Sequence, residues 1–140
     1  MSGRGKVRDV SDAAETVVRN FLAAWKRSDL DELVGFISDD AIYTDGPRGT
    51  HSGIDAIKAE LQSMVKMVPS TSIDVRTLVA NGDTVFTERV DNFEVQGKPF
   101  GLEVAAVFIV DDDGRIKYWR EYYDLESMLN RISAALASAS

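Results

Sequence analysis

Hydrophobic residues recur at helical spacing in two stretches of the first half of the chain. Residues three or four positions apart lie on one face of a helix, so these stretches predict amphipathic helices over about 12–27 and 54–67. Between them we predict a short helix over 29–36, a brief strand over 41–44 and a turn-rich loop over 46–53. The apolar positions of the two longer helices are Val17, Val18, Phe21, Leu22 and Trp25, and Ile57, Leu61, Met64 and Val65.

The second half of the chain changes to strand-like runs separated by turn residues. Strands are predicted over 71–80, 83–95, 98–110 and 115–124, and a closing helix over 125–136. The breaks between the strands are Asn81-Gly82, Gln96-Gly97 and the segment from Asp111 to Gly114, all of which are typical of hairpins. The strands are therefore expected to pair in chain order as an antiparallel meander.

Helices followed by an antiparallel meander are typical of the α+β class. A strongly curved sheet with helices on its concave side would form a cone, and a small ligand would bind at its mouth or in its depth. We expect a single domain over 12–137 and a flexible N-terminal arm over 1–11. The convex face of such a sheet would expose apolar side chains to water unless another surface covered it. We therefore also expect a homodimer in which the apolar strand 104–110 and the aromatic run 118–123 supply the contact.

Composition narrows the possible partners. The chain has 140 residues, 44% of them hydrophobic, which is enough for one domain with a real core. Its net charge of −7 disfavours nucleic acid, which needs a basic surface, and no apolar run is long enough to span a membrane. The chain has no cysteine, which fits a cytoplasmic location, and its one histidine, His51, makes a zinc site improbable.

The segment TERVDNF, residues 87–93, carries two opposite charges on one predicted strand face. Alternation places Arg89 and Asp91 on the side that also presents Val85 and Phe93. On a solvent-facing surface such a pair contributes little to stability. Inside a pocket the pair is costly to bury, and a function for it becomes the better explanation.

A second segment, RIKYWREYYD at 115–124, places a single acid among aromatic residues. Alternation puts Trp119, Glu121 and Tyr123 on one face and Tyr122 on the other. Glu121 is then either a solvated strand residue or a member of the same pocket as Arg89. We interpret the two tyrosines as core or dimer-interface residues, and Glu103, which interrupts the apolar strand, as outward-facing.

The runs ERVD and VFIVDDDGRIKYWREYYDL resemble the limonene-1,2-epoxide hydrolase family, within the wider SnoaL-like, NTF2-like cone superfamily. The order of elements from Val17 to Leu125 is also similar. The resemblance implies an NTF2-like cone with three to four helices on the concave face of a mixed or antiparallel sheet. It also implies a cofactor-independent hydrolase, without metal, that adds water to a small apolar epoxide in one step.

The family's catalytic set carries over by motif to five residues. In that family an arginine lies between two carboxyl groups, of which one protonates the epoxide oxygen and the other takes a proton from the attacking water. The resemblance implies that Arg89 is the bridge, Asp91 the acid and Glu121 the base. It implies that Tyr43 and Asp45 hold the water. Such a pair suits the reaction because two neighbouring carboxyl groups in a dry site share one proton.

Two departures from the family pattern leave alternatives open. Glu121 stands where the family has aspartate, and Asp45 stands where it has asparagine, which adds a possible third charge. Either Asp45 has become the base or the site performs different chemistry. AIYTDGP, with Asp45, also resembles the segment of ketosteroid isomerases that carries their general base, which suggests such an isomerase or a SnoaL-like polyketide cyclase. Phe21 and Ala106, however, stand where the isomerases have their oxyanion donors. A non-catalytic dimer that binds a small ligand is the third alternative.

Overall fold

The computed structural model describes residues 3–139 and contains one six-stranded sheet with four α-helices. The helices are α1 (Gly3–Ala24), α2 (Leu30–Gly35), α3 (Ile54–Met67) and α4 (Leu125–Ala139). The strands are β1 (Ile37–Asp45), β2 (Gly49–Ser52), β3 (Ser72–Asn81), β4 (Thr84–Val95), β5 (Lys98–Val110) and β6 (Ile116–Tyr122), and a short 3₁₀ turn spans Gly46–Arg48. None of the helices in this described part is long and apolar enough to cross a membrane.

The sheet is mixed. Strands β3 to β6 form the predicted antiparallel meander, and the strand order across the sheet is β2-β1-β6-β5-β4-β3. Strand β1 pairs with β6 in parallel, and β2 pairs with β1 in antiparallel fashion. Register shifts in the pairings of β1 with β6, β3 with β4 and β5 with β6 mark irregularities of the kind that bend strands and increase their twist.

The concave face of the sheet carries the core. It presents Val85 from β4, Phe108 from β5 and Trp119 from β6, which lie side by side in the register. Helix α1 packs on this face through Phe21, whose ring centroid lies 5.1 Å from that of Trp119 in an edge-to-face contact. Leu33 of α2 and Ile57 of α3 join the same cluster, so helices line one side of the sheet as predicted.

Helix α1 begins at Gly3, well before the predicted start at Asp12, so the proposed arm is helical over residues 3–11. The remainder of the arm, residues 1 and 2, lies outside the described residues. As part of a helix, this segment forms internal backbone hydrogen bonds. The hydroxyl of Ser11 also accepts a hydrogen bond from the backbone N–H of Gly82 at 2.8 Å. The polar composition of the segment did not indicate this contact.

Two further elements differ from the sequence predictions. Strand β1 begins at Ile37 rather than Ala41, because Ile37 pairs with Ile116 of β6 before the register shifts. The loop predicted over 46–53 contains β2, which returns along β1 with Gly49 opposite Asp45. The end of β1 pairs with β6 so that Tyr43 lies opposite Trp119 and Asp45 lies opposite Glu121.

Candidate active site

The five predicted site residues all lie on the concave face, on three different strands. Tyr43 and Asp45 come from β1, Arg89 and Asp91 from β4, and Glu121 from β6. Asp45 is directly opposite Glu121 in the parallel pair of β1 and β6, so these two side chains are neighbours. The structure therefore brings together all five positions.

Arg89 reaches Glu121 across an intervening strand. Strand β5 separates β4 from β6, so the backbones of these two strands are about 10 Å apart, which only a long side chain can span. Ala106 of β5 lies opposite Glu121 and is fully buried. Because its side chain is a single methyl group, it leaves room above the sheet for the guanidinium of Arg89.

The guanidinium of Arg89 binds both carboxyl groups. Its Nε lies 2.8 Å from Oδ1 of Asp91 and its Nη2 lies 3.2 Å from Oδ2, a bidentate pair. The same Nη2 also donates to Oε2 of Glu121. Arg89 and Glu121 are buried, whereas the side chain of Asp91 keeps 17% of its surface exposed. The site is thus shielded from solvent at Glu121 and accessible to solvent near Asp91.

Burial raises the pKa of Glu121, and the positive charge of Arg89 acts in the opposite direction. The negative charges of Asp91 and Asp45 add to the upward shift, so Glu121 binds a proton more readily than an ordinary glutamate. For Arg89, burial lowers the pKa, but the two neighbouring carboxylates outweigh it and the pKa is raised. Arg89 therefore stays cationic between the two carboxyl groups of the trio formed by Arg89, Asp91 and Glu121.

Tyr43 is a buried hydrogen-bond donor to Glu121. Its hydroxyl donates to Oε1 of Glu121 at 3.3 Å, and its ring stacks on Trp119 with centroids 3.8 Å apart. Burial, followed by the charge of Glu121, raises the pKa of Tyr43 well above its ordinary value. The hydroxyl thus remains protonated and is available as a donor to Glu121 or to a bound water.

Tyr123 contacts the site, although the sequence pattern predicts a core or dimer-interface residue. Its hydroxyl donates to Oδ1 of Asp45 at 2.8 Å, and Asp45 itself is buried. Burial and the bond to Asp45 raise the pKa of Tyr123, so it too remains a neutral donor. Alternation puts Tyr123 on the face of Glu121, but the pairing of β1 with β6 is needed to identify its partner.

Gly46 allows the 3₁₀ turn to approach β6. A Cβ atom at this position would lie 2.6 Å from the backbone oxygen of Glu121 and 3.3 Å from the ring of Tyr123. The close approach keeps Asp45, the preceding residue, next to both side chains.

We predict that Gly46→Ala destabilises the protein by about 1–3 kcal/mol, because the added methyl group overlaps backbone that cannot move freely. Gly82→Ala is the matched control, since Gly82 also has a positive φ but a Cβ added there would have no atom within 4 Å. Urea denaturation should give a larger loss for Gly46→Ala than for Gly82→Ala. Equal losses would mean that the contact with β6 is unimportant.

Three buried donors of the concave face have no hydrogen-bond partner among the described residues: Thr87 Oγ1, Arg89 Nη1 and Trp119 Nε1. Asp91 binds the edge of the guanidinium formed by Nε and Nη2, so Nη1 points away from Asp91. Buried donors of this kind need an acceptor, which a water or a substrate oxygen can supply. Neither Thr87 nor Trp119 is among the site residues predicted from the sequence.

The other candidates lie outside the trio. His51 stacks on Tyr43 and its Nε2 is 3.8 Å from a carboxylate oxygen of Glu60. Glu103 is exposed on the convex face, as predicted. Phe21 and Ala106 are buried apolar residues and supply no oxyanion donor. Over residues 3–139, no group of three or more His, Asp or Glu side chains has the arrangement of a metal site.

An open cleft of about 680 Å³ lies at the end of the β4–β5 hairpin. The rings of Phe93 and Phe100, which stack with centroids 4.9 Å apart, are part of its apolar lining. Phe93 follows Asp91 by two residues on the same face of β4. None of the five predicted site residues lines the cleft, but Asp91, the most exposed member of the trio, is the nearest along the strand.

Comparisons with known proteins give the family context. Residues 18–119 match the family model described as a SnoaL-like domain. Epoxide hydrolase EphG of Mycobacterium tuberculosis (strain ATCC 25618 / H37Rv) is 29% identical over 121 residues, which are 86% of this chain and 80% of EphG. The solved structure of an LEH-like epoxide hydrolase of M. tuberculosis has a TM-score of 0.77 at 29% identity and covers 93% of this chain and 98% of its own.

A more distant likeness concerns the fold alone. A hypothetical protein of Catenulispora acidiphila DSM 44928 with a ketosteroid isomerase-like fold, solved in complex with trimethylamine, has a TM-score of 0.69 at 23% identity. The match covers 78% of this chain and 85% of that protein. Together these similarities confirm the predicted α+β, NTF2-like fold and the predicted resemblance to the limonene-1,2-epoxide hydrolases.

Proposed function

We propose that this chain, which belongs to the SnoaL-like domain family, is an epoxide hydrolase of the limonene-1,2-epoxide hydrolase type. The observation that carries the proposal is the buried guanidinium of Arg89, which binds Asp91 and Glu121 at once. The similarity to EphG and to the LEH-like epoxide hydrolase structure supports it. The proposed substrate is a small apolar epoxide, and the reaction needs only the side chains of the site.

In the proposed reaction, water adds to the epoxide in one step. Asp91 gives its proton to the epoxide oxygen while the C–O bond to the attacked carbon breaks. The oxygen of a water forms the new bond to that carbon, and Glu121 takes one of the water's protons. The product is a vicinal diol, and the proton now on Glu121 must return to Asp91 before the next turnover. Acid or base assistance of this kind typically contributes about 10²- to 10⁴-fold per group.

The positions of the two carboxyl groups support these roles. Glu121 lies beside Tyr43 and Asp45, the residues proposed to hold the water. Asp91 lies on the side of the aromatic cleft, where the epoxide would enter. The raised pKa of Glu121 makes it a stronger base than an ordinary carboxylate. The reactive form is the one in which the shared proton is on Asp91 and Glu121 is ionised.

Single-turnover hydrolysis in ¹⁸O-water tests the function and the one-step mechanism together. Enzyme in excess over a small panel of epoxides, such as limonene-1,2-epoxide, cyclohexene oxide and styrene oxide, should yield diol that carries the label after one turnover. Diol with unlabelled oxygen from the protein would indicate a covalent ester and overturn the one-step mechanism. If the folded protein gives no diol from any epoxide, the proposed function is wrong.

A second candidate function uses Asp45 as a general base in a SnoaL-like cyclase or a ketosteroid isomerase-like enzyme. The hydrogen bond from Tyr123 to the buried Asp45 favours it. The apolar Phe21 and Ala106 argue against the isomerase, because they leave an enolate oxygen without donors at those two positions. Proton exchange on ketone substrates that is lost in Asp45→Asn would support this alternative, and exchange unaffected by the substitution would exclude it.

We also propose that two copies of the chain form a homodimer through the convex face of the sheet. We propose a cytoplasmic location for this dimer. That face exposes large side chains, among them Phe86 (54% exposed) and Tyr122 (56%). Sedimentation equilibrium should give twice the chain mass at micromolar concentration, and Phe86→Glu should shift the protein toward monomer. A wild-type protein that sediments as a monomer would contradict this proposal.

A further inference from the structure

We propose that Tyr123 is a positioning residue that fixes Asp45, and that Asp45, held in this way, orients the water from which Glu121 takes a proton. The inference rests on the proposed function. It assigns a role to a tyrosine that the catalytic set implied by the resemblance does not contain, and it explains how aspartate can stand at a position where the resemblance implies asparagine.

Tyr123 and Asp45 form a hydrogen-bonded pair within the site. The Tyr123 hydroxyl lies 2.8 Å from Oδ1 of Asp45, which is only 5% exposed. Asp45 sits opposite Glu121 in the β1–β6 register, and Gly46 lets its backbone approach β6 closely. A carboxylate in this setting needs hydrogen-bond donors, since it has lost most of its contact with water. The tyrosine supplies one without adding a charge.

The attack of water on the epoxide explains why Oδ2, the second carboxylate oxygen of Asp45, matters. A water that loses one hydrogen to a base must direct its other hydrogen at an acceptor to keep its lone pair aimed at the substrate. Glu121 accepts one hydrogen, and Oδ2 of Asp45, the carboxylate oxygen that does not accept from Tyr123, can accept the other. Tyr123 occupies Oδ1 and thereby holds the carboxylate in one orientation.

Glu121 and Asp45, the two carboxyl groups proposed to contact the water, thus each accept a hydrogen bond from a different tyrosine. Tyr43 donates to Glu121 and Tyr123 donates to Asp45. The two donors differ in their surroundings, because Tyr43 is fully buried while Tyr123 is half-buried just beyond the end of β6. Removal of the Tyr123 hydroxyl should therefore affect the position of Asp45 with little effect on the core.

The test is the rate of epoxide hydrolysis by Tyr123→Phe, measured as kcat and KM separately. Loss of a hydrogen bond to a charged group should lower kcat by on the order of 10- to 100-fold, with KM within about twofold. Tyr122→Phe is the matched control, because Tyr122 is the adjacent tyrosine on the opposite, exposed face. Its kcat should equal that of the wild type, and an unchanged kcat in Tyr123→Phe would overturn the inference.

A double-mutant cycle separates positioning from a general structural effect. If Tyr123 acts only through Asp45, then Tyr123→Phe should cause no further loss of kcat in an Asp45→Ala background. Losses that multiply would show that the two residues act independently, which contradicts the inference. Should Tyr123→Phe fail to fold, Asp45→Asn provides a second variant. It keeps an acceptor for the tyrosine but loses one carboxylate oxygen, so kcat should again fall, and an unaffected kcat overturns the inference.

Failure of this inference is distinct from failure of the proposed function. If the wild type produces labelled diol and Tyr123→Phe has full activity, the epoxide hydrolase proposal stands and the role of Tyr123 is wrong. If the wild type produces no diol, the proposed function fails first.

Discussion

Asp91→Asn is expected to lower the rate of epoxide opening by about 10²- to 10⁴-fold, the usual contribution of a general acid. The substitution is nearly isosteric, and the side-chain oxygen of asparagine can still accept from Arg89, which the native Asp91 binds at 2.8 Å. The amide cannot give up a proton to the epoxide oxygen. The leaving oxygen would then have to depart as an alkoxide, which is the unfavourable step that the acid avoids.

The measurement is kcat and kcat/KM on an epoxide that the wild type hydrolyses. Both should fall by a similar factor, because the lost interaction exists only in the transition state. Glu103→Gln is a suitable control, since it makes the same kind of change to an exposed carboxylate on the convex face. Full activity in Asp91→Asn would exclude Asp91 as the acid.

Arg89→Met should have the largest combined effect on activity and stability. Methionine fills part of the volume of the arginine but offers no donors, so the buried Glu121 loses the charge that faces it. Removing one partner of a buried ion pair typically costs about 3–5 kcal/mol. Hydrolysis should fall below detection, because nothing then holds Asp91 and Glu121 in the geometry for sharing a proton.

The stability loss in Arg89→Met should depend on pH in a defined direction. Arg89 lowers the pKa of Glu121, so its removal lets burial raise that pKa further above the ordinary value of 4.5. In the folded variant Glu121 then binds a proton more tightly than in the unfolded chain. Stability must therefore fall as the pH rises above the ordinary glutamate range, and the variant should be closest to the wild type at acid pH.

Urea denaturation of the wild type and Arg89→Met at about pH 5 and pH 8 measures this difference. The control is Arg19→Met, which breaks an exposed pair with Glu15 one helical turn away, a contact of the kind worth about 0.3–0.5 kcal/mol. A loss in Arg89→Met no larger than that of Arg19→Met, or one that shrinks at alkaline pH, would contradict the buried role of Arg89.

Local patterns in the sequence determined much of the fold and two of the five site residues. Alternation along β4 placed Arg89 and Asp91 on one face, and the turns at Asn81-Gly82 and Gln96-Gly97 predicted the meander. These features are local, because side chains alternate with every residue and a tight turn depends on the few residues within it. The family resemblance then identified Tyr43, Asp45 and Glu121 as candidates without showing how they meet.

Only the tertiary structure decided which of these side chains touch. The parallel pairing of β1 with β6 puts Asp45 beside Glu121 and within reach of Tyr123, and it joins segments far apart in the chain. The span of Arg89 across β5 depends on the small side chain of Ala106 between the two strands. Such pairings follow from the packing of the whole core, so a periodicity of two or 3.6 residues within one element cannot specify them.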